Sequence, residues 1–136
     1  MKAVRFHEHG GPETLLFEDI PTPEPGAGEA LLKQAAIGVN FIDMYQRSGV
    51  YKTPLPCTAG SEGAGEVVIV GSDVNEVAIG DRVVYSGALG AYAEYAIVPA
   101  WRLIKVPDTI DLNIAAAVIL QGMTVHYLTH STYALK

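Results

Sequence analysis

The segment Gly60–Gly71, GSEGAGEVVIVG, joins a glycine-rich stretch to a compact apolar run. The run Glu66–Val70 is rich in β-branched residues and ends at Gly71, a pattern that predicts a short strand. A glycine-rich segment that binds a dinucleotide follows a strand and opens a helix. The order is reversed here, so the segment favours a β-fold and carries no dinucleotide-binding fingerprint.

The same kind of short strand is predicted on both sides of this stretch, with turns rich in glycine and proline between them. Several short strands at this spacing indicate a barrel-like or sandwich-like sheet, so the fold class is mainly β with short helices. The flanking strands are predicted at Lys2–His7, Leu15–Asp19, Glu29–Ile37, Arg82–Tyr85 and Ala91–Val98.

Two helical signals interrupt the β pattern. Asn40 is an N-cap residue with an acid three positions later, and the helix that it starts is predicted to stop at Gly49. The second helix is predicted to begin at Asp111 and to continue after Gly122 through Met123–Leu135. Because no stop signal follows, we expect the chain to meet a further domain there, with a frayed natural terminus as the alternative.

Composition excludes several classes of protein. The 136 residues carry a net charge of −6 and no basic run, which argues against nucleic-acid binding. Cys57 is the only cysteine, which excludes an internal disulfide framework and a multi-cysteine metal site. The N-terminus lacks a signal peptide, and the longest apolar run, near residues 114–120, is far below the roughly 20 residues needed to span a bilayer. These features predict a soluble, cytoplasmic protein that does not bind membranes.

Segments in a fixed order resemble the medium-chain dehydrogenase/reductase superfamily, specifically its quinone oxidoreductase (zeta-crystallin-like) branch. The resemblance implies a GroES-like partial β-barrel over residues 1–120 and a junction helix over residues 121–136. In the family this helix leads to a Rossmann domain, which we expect to lie outside this chain. The segments are Met1–Phe6, Gly38–Asp43 (GVNFID), Tyr45–Tyr51 (YQRSGVY), Gly60–Val67 (GSEGAGEV), Gly80–Val84 (GDRVV), Gly90–Tyr95 (GAYAEY) and Leu120–Leu128 (LQGMTVHYL).

The resemblance also implies that the protein holds no zinc. Zinc-dependent alcohol dehydrogenases of the superfamily have a metal-binding cysteine where this chain has Asn40, and a histidine where it has Ser61. Amide and hydroxyl groups are poor zinc ligands beside thiolate and imidazole. The only other candidate pair, His126 and His130, lacks an evident third ligand. We predict no metal site.

Without a Lewis acid an alcohol is a poor substrate, whereas a quinone is already a strong electrophile. The resemblance therefore implies the catalytic portion of an NADPH-dependent quinone reductase that forms a homodimer at full length. Little turnover is expected from residues 1–136 alone. The alternatives are a zinc-free enone or enoyl thioester reductase, with Tyr45 or Tyr51 supplying a proton, and a non-catalytic GroES-like module for binding or oligomerisation.

The family positions imply roles for six residues, and the residues themselves leave a plainer interpretation open for several. Asn40 is also a helix N-cap worth about 1 kcal/mol, tyrosines commonly pack, and a helical threonine often bonds its own helix. Asp43 is interpreted as a helix-start charge, and Glu62 as an acid that bonds nearby backbone or Arg47. The predicted site residues are Tyr45 and Tyr51 as catalytic, and Asn40, Phe41, Tyr45, Gln121 and Thr124 as cofactor-binding.

Overall fold

A computed structural model describes residues 1–133, which form eight strands and two α-helices. Helix α1 is Phe41–Arg47, and α2 is Leu112–His126, which continues as a π-helix over Tyr127–Thr132. Short 3-10 turns occupy Pro12–Thr14 and Ala100–Arg102. The strands are β1 Lys2–Phe6, β2 Leu16–Asp19, β3 Glu29–Ile37, β4 Cys57–Thr58, β5 Glu62–Val70, β6 Arg82–Ser86, β7 Tyr95–Pro99 and β8 Ile104–Lys105.

The strands make two antiparallel sheets that share a seam. The larger has the order β7-β3-β5-β6-β8, and the smaller has the order β2-β1-β4. An antiparallel bridge between Ala3 and Ala93 joins them, supported by a 2.7 Å hydrogen bond from the Val4 N–H to the Tyr92 carbonyl. The prediction of a mainly β fold with short helices is confirmed, and the sheets form the open arrangement of a partial barrel.

Two apolar clusters hold the larger sheet. The main one buries β-branched and aromatic side chains, among them Val67, Val83, Tyr85 and Val98, each fully buried. The second lies where small residues of α2, Ala115 and Ala116, pack on Ala64 and Val84. Alanines allow the helix to approach the sheet closely, so α2 is fixed against β5 and β6.

The glycine-rich segment forms part of strand β5, which starts at Glu62 and not at the predicted Glu66. Gly65 pairs with Gln34 of β3, and a Cβ placed on it would collide with the Lys33 carbonyl oxygen. Glycine therefore extends this strand because the neighbouring backbone comes too close for a side chain.

Strand β7 also begins later than predicted, at Tyr95 and not at Ala91. Residues 91–94 form the seam with β1, where the Glu94 N–H donates to the Lys2 carbonyl at 3.0 Å, while the Glu94 carbonyl accepts from the Gln34 N–H of β3 at 2.9 Å. Residues 91–94, whose alternating pattern predicted a strand, instead connect the two sheets.

Helix α2 runs through Gly122 without a break. A Cβ placed on Gly122 would meet no atom within 4 Å. The predicted end at Leu135 lies outside the described residues. The predicted division at residues 120 and 121 falls inside this helix and stays a prediction.

The helical stretch that contains α2 is apolar over most of its length, although its longest continuous apolar run is short. The helical stretch Leu112–Thr132, 21 residues long, has the length and composition of a membrane-spanning helix. Length and composition are the only criteria that this stretch meets, and 11% of its 18-residue apolar window is buried. The expectation of a protein that does not bind membranes stays a prediction.

Tyr85 gives the fold a pH-dependent stability. Burial raises the pKa of this phenol to about 12, and the Glu62 charge adds to the rise. The hydrogen bond that Gln34 donates to the phenol oxygen, at 2.6 Å, acts in the opposite direction. The unfolded chain ionises near pH 10, so the contribution is fully present below that pH and is lost as the pH rises towards 12. We expect the free energy of unfolding to fall by about 2–3 kcal/mol over this interval, measured by urea denaturation. Tyr85→Phe should reduce the fall by that amount and leave the part that the raised pKa of Tyr92 contributes, and an equal fall in both proteins would contradict the assignment.

Candidate active site

The start of α1 builds the first part of the site. Asn40 occupies the N-cap with extended backbone (φ −128°, ψ 157°), and its N–H donates to Asp43 Oδ2 at 2.8 Å. The Asp43 N–H donates back to the Asn40 carbonyl at 3.1 Å. The predicted helix start is confirmed. The Asn40 Nδ2 is enclosed and has no hydrogen-bond partner among residues 1–133, so the amide keeps an unused donor.

Three aromatic side chains, Phe41, Tyr45 and Tyr51, form an exposed surface on α1 and the turn after it, the aromatic patch. The Phe41 and Tyr45 rings lie 6.0 Å apart, and the Tyr45 and Tyr51 rings meet edge-on at 5.6 Å. The Tyr51 N–H donates to the Tyr45 carbonyl at 3.0 Å, which fixes the turn. All three side chains are 40–71% exposed. The structure therefore brings together three of the six predicted site residues.

Asp43 is a buried residue of α1, and its hydrogen bonds go beyond those expected of a charge at a helix start. Its side chain is 7% exposed. The Ser61 hydroxyl donates to Oδ1 at 3.1 Å, and the Tyr92 hydroxyl donates to Oδ2 at 2.8 Å. Burial raises the pKa of Tyr92, and the hydrogen bond to the Asp43 carboxylate and the charge of that group raise it further. The sequence interpretation missed this hydrogen-bonded cluster.

Glu62 is almost completely buried, with 1% of its surface exposed. Its side chain packs against Gly38, where a Cβ would collide with the carboxylate. The Oε2 atom has no hydrogen-bond partner within residues 1–133, and no ion pair in that range joins Glu62 to Arg47. Of the two kinds of partner that the sequence left open for Glu62, nearby backbone or Arg47, the ion pair with Arg47 does not form among the described residues. Arg47 instead lines a cavity of about 270 Å³ beneath α1, beside Asp43 and Tyr92.

Gln121 and Thr124 are on α2 and not on the helix that carries the other candidates. Both are exposed, and the Thr124 hydroxyl donates to the Leu120 carbonyl at 2.8 Å. This is the bond to its own helix that the residue type alone suggested. Within the described residues 1–133, no side-chain hydrogen bond or aromatic contact joins Gln121 or Thr124 to α1. Their roles in cofactor binding therefore stay predictions.

Metal binding was predicted to be absent. In the part of the chain that the structure describes, no group of three or more His, Cys, Asp or Glu side chains is placed to hold a metal ion. Ser61, at the position of a zinc-binding histidine, donates its hydroxyl to Asp43. His126 and His130 stack at 4.4 Å, with His130 Nδ1 bonded to the His126 carbonyl. The absence of zinc from the protein stays a prediction.

Comparison with known proteins places this geometry in a family. Residues 26–108 match the alcohol dehydrogenase GroES-like domain. A quinone oxidoreductase of Pseudomonas aeruginosa is 49% identical over 99% of this chain and 42% of its own length. A 2-haloacrylate reductase of a Burkholderia species is 39% identical over 98% of this chain and 42% of its own length.

Solved structures agree with the sequence matches. The structure of Escherichia coli quinone oxidoreductase complexed with NADPH superposes with a TM-score of 0.97 at 43% identity, covering 100% of this chain and 42% of that one. The chain thus spans about two fifths of the length of the relatives it matches. It belongs to the alcohol dehydrogenase GroES-like domain family, in the quinone oxidoreductase branch of the medium-chain dehydrogenase/reductase superfamily.

Proposed function

We propose that the chain is the substrate-facing part of an NADPH-dependent quinone reductase. The observation that carries the proposal is the unused Nδ2 donor of Asn40, at the start of the helix that also carries Phe41 and Tyr45. An enclosed amide donor without a partner costs stability, so a ligand that accepts its hydrogen bond offsets this cost. A planar ring with carbonyl acceptors can stack on the exposed aromatic patch of the same segment.

The residues divide the work between orientation and charge stabilisation. NADPH, when bound, supplies the hydride. Asn40 donates to the cofactor or to a quinone carbonyl, and the Tyr45 and Tyr51 phenols orient the ring and donate to developing oxyanion charge. Gln121 and Thr124 contact the cofactor only if α2 faces it in the complete protein. The pyrophosphate and adenosine groups need a nucleotide-binding domain outside residues 1–136. A homodimer, a cytoplasmic location and catalysis without zinc belong to the same proposal.

Reduction of an activated carbon–carbon double bond is the second candidate. The similarity to a protein named 2-haloacrylate reductase favours it. Such a reaction needs a proton at carbon after hydride transfer, and Tyr45 or Tyr51 is the exposed phenol that could deliver it. The third alternative, a non-catalytic GroES-like module, gives no function to the Asn40 donor or to the exposed phenols.

A chimeric protein tests the proposal. Residues 1–136 replace the matching N-terminal 42% of the Pseudomonas aeruginosa relative, so that the chain meets a nucleotide-binding domain. We expect the chimera to oxidise NADPH with a benzoquinone at rates near those of the relative. The loss of NADPH absorbance measures these rates. The isolated chain should show no turnover.

The substrate panel includes a naphthoquinone, an enone and 2-haloacrylate, so that the two reductase candidates are distinguished by kcat/KM. A folded, NADPH-binding chimera that reduces none of these substrates would contradict the proposal and favour a non-catalytic module. Robust turnover by the isolated chain would contradict the requirement for a second domain.

A further inference from the structure

We propose that Asp43 is a positioning residue of this cleft, which sets the orientation of the Asn40 amide by tying the start of α1 to Ser61 and Tyr92. The inference rests on the proposed function, because Asn40 is the group that meets the ligand. The three segments joined in this way, around residues 40–43, 61 and 92, are far apart in sequence. One carboxylate connects all of them.

The hydrogen bonds of Asp43 indicate that its role is structural and that it does not transfer a proton. Oδ1 accepts from Ser61, and Oδ2 accepts from both the Tyr92 hydroxyl and the Asn40 N–H. Both oxygens of this carboxylate accept hydrogen bonds from donors that belong to the protein itself. The group is therefore a fixed anchor within the protein.

The donors themselves are held in place. Tyr92 lies against Gly60 (φ 86°), where any side chain would collide with the Tyr92 ring. Ser61 follows this glycine and is 7% exposed. The Tyr92 carbonyl also accepts from Val4 at the seam between the sheets, at 2.7 Å. Asp43 thus connects α1 to the seam between the two sheets.

Helix α1 needs such an anchor because it is only seven residues long. A helix of two turns is unstable unless tertiary contacts hold it. Its C-terminal end is fixed by the Gly10 N–H, which donates to the Arg47 carbonyl at 3.0 Å, and by His9 Nδ1, which contacts the Gln46 carbonyl at 3.1 Å. Asp43 is the corresponding attachment at the N-terminal end, next to Asn40.

Asp111 shows what an ordinary helix-start carboxylate looks like in the same chain. It caps α2 by accepting from the Asn113 N–H at 2.8 Å, and it is exposed. Its side-chain partners are both on Asn113, two residues away. Asp111→Asn is therefore the matched control for Asp43→Asn, with the same chemical change at a helix start and no link to the cleft.

The kinetic test compares these two substitutions in the chimera described above. Asp43→Asn is expected to lower kcat with benzoquinone about tenfold, with a smaller change in the KM for the quinone. Asp111→Asn should leave both constants unchanged. Tyr92→Phe and Ser61→Ala should each lower kcat by less, and Tyr92→Phe should have little further effect once Asp43 is Asn, because the two act through one contact.

A spectroscopic test on the isolated chain does not depend on turnover. Carbon-13 labelling at the tyrosine ring reports the ionisation of each phenol by NMR, and Tyr92→Phe identifies the Tyr92 signal. Asp43→Asn should lower the Tyr92 pKa, since it removes the carboxylate charge, so that the Tyr92 signal begins to shift at a lower pH than in the wild type. Asp111→Asn should not change this onset.

The two tests separate the possible failures. A Tyr92 pKa unchanged by Asp43→Asn, or an Asp43→Asn chimera with wild-type kcat, would overturn the inference. A kcat that falls only in proportion to the folded fraction, measured by circular dichroism, would also overturn it. An inactive wild-type chimera in which the Tyr92 pKa still shifts would overturn the proposed activity and the positioning role that rests on it, and would leave Asp43 as a structural anchor alone.

Discussion

Gly65→Ala is expected to lower the free energy of unfolding by about 3–4 kcal/mol, the largest stability effect of any substitution considered for this chain. The added methyl group would collide with the Lys33 carbonyl oxygen, and the next nearest atoms, the Lys33 carbonyl carbon at 2.9 Å and the Gln34 Cα at 3.1 Å, are also backbone. A flexible side chain could rotate away, but the backbone of β3 is held by pairing on both sides. The sheet must therefore separate locally, and urea denaturation monitored by circular dichroism measures the cost.

Gly122→Ala is the matched control, because it adds the same methyl group where no atom lies within 4 Å. Gly122 is inside α2, where alanine is favoured over glycine by about 0.5–1 kcal/mol. We expect this variant to be slightly more stable than the wild type. Similar losses of stability for the two variants would contradict the explanation from close strand approach.

Asn40→Ala is expected to lower kcat/KM for quinone reduction by the chimera about 100-fold, roughly 2.7 kcal/mol of transition-state stabilisation. The substitution removes the unused Nδ2 donor and leaves the Asp43 carboxylate bonded to the backbone N–H of residue 40. Steady-state kinetics with NADPH and benzoquinone measure the effect, together with the dissociation constant of NADPH.

Asn113→Ala provides the control for loss of an amide near a helix start. Asn113 is on α2, and its side chain bonds only Asp111 among the described residues. This variant should keep wild-type kinetics. If Asn40→Ala did the same while remaining folded, the Asn40 amide would have no role in the reaction and the proposed site would be wrong.

The sequence predicted those features whose signals are local. The strands β1, β2 and β3 follow their alternating or extended patterns closely, and α1 starts at its N-cap and stops before Gly49, which has a φ of 81°. The close approach of Phe41 and Tyr45 follows from their spacing on one helix. Each of these depends on residues a few positions apart.

The features that escaped prediction depend on contacts between distant segments. The hydrogen bonds of Asp43 to Ser61 and Tyr92 span 18 and 49 residues, and no spacing rule connects these positions. The start of β5 was predicted too late because glycine usually weakens a strand, and only the position of β3 shows why it is required here. Burial of Glu62 was likewise invisible in a segment rich in polar and small residues.

The order of the strands also determines which sheet edges could pair with a strand of another molecule. Within residues 1–133, one edge of each sheet is a strand of only two residues, β8 in the larger sheet and β4 in the smaller. Unpaired backbone groups along a long, flat edge act as a template for another molecule, and such short edges offer little to pair with. Lys105 places a charge on β8, bonded to Asp81 at 2.7 Å. These two edges are thereby protected against intermolecular strand addition and aggregation.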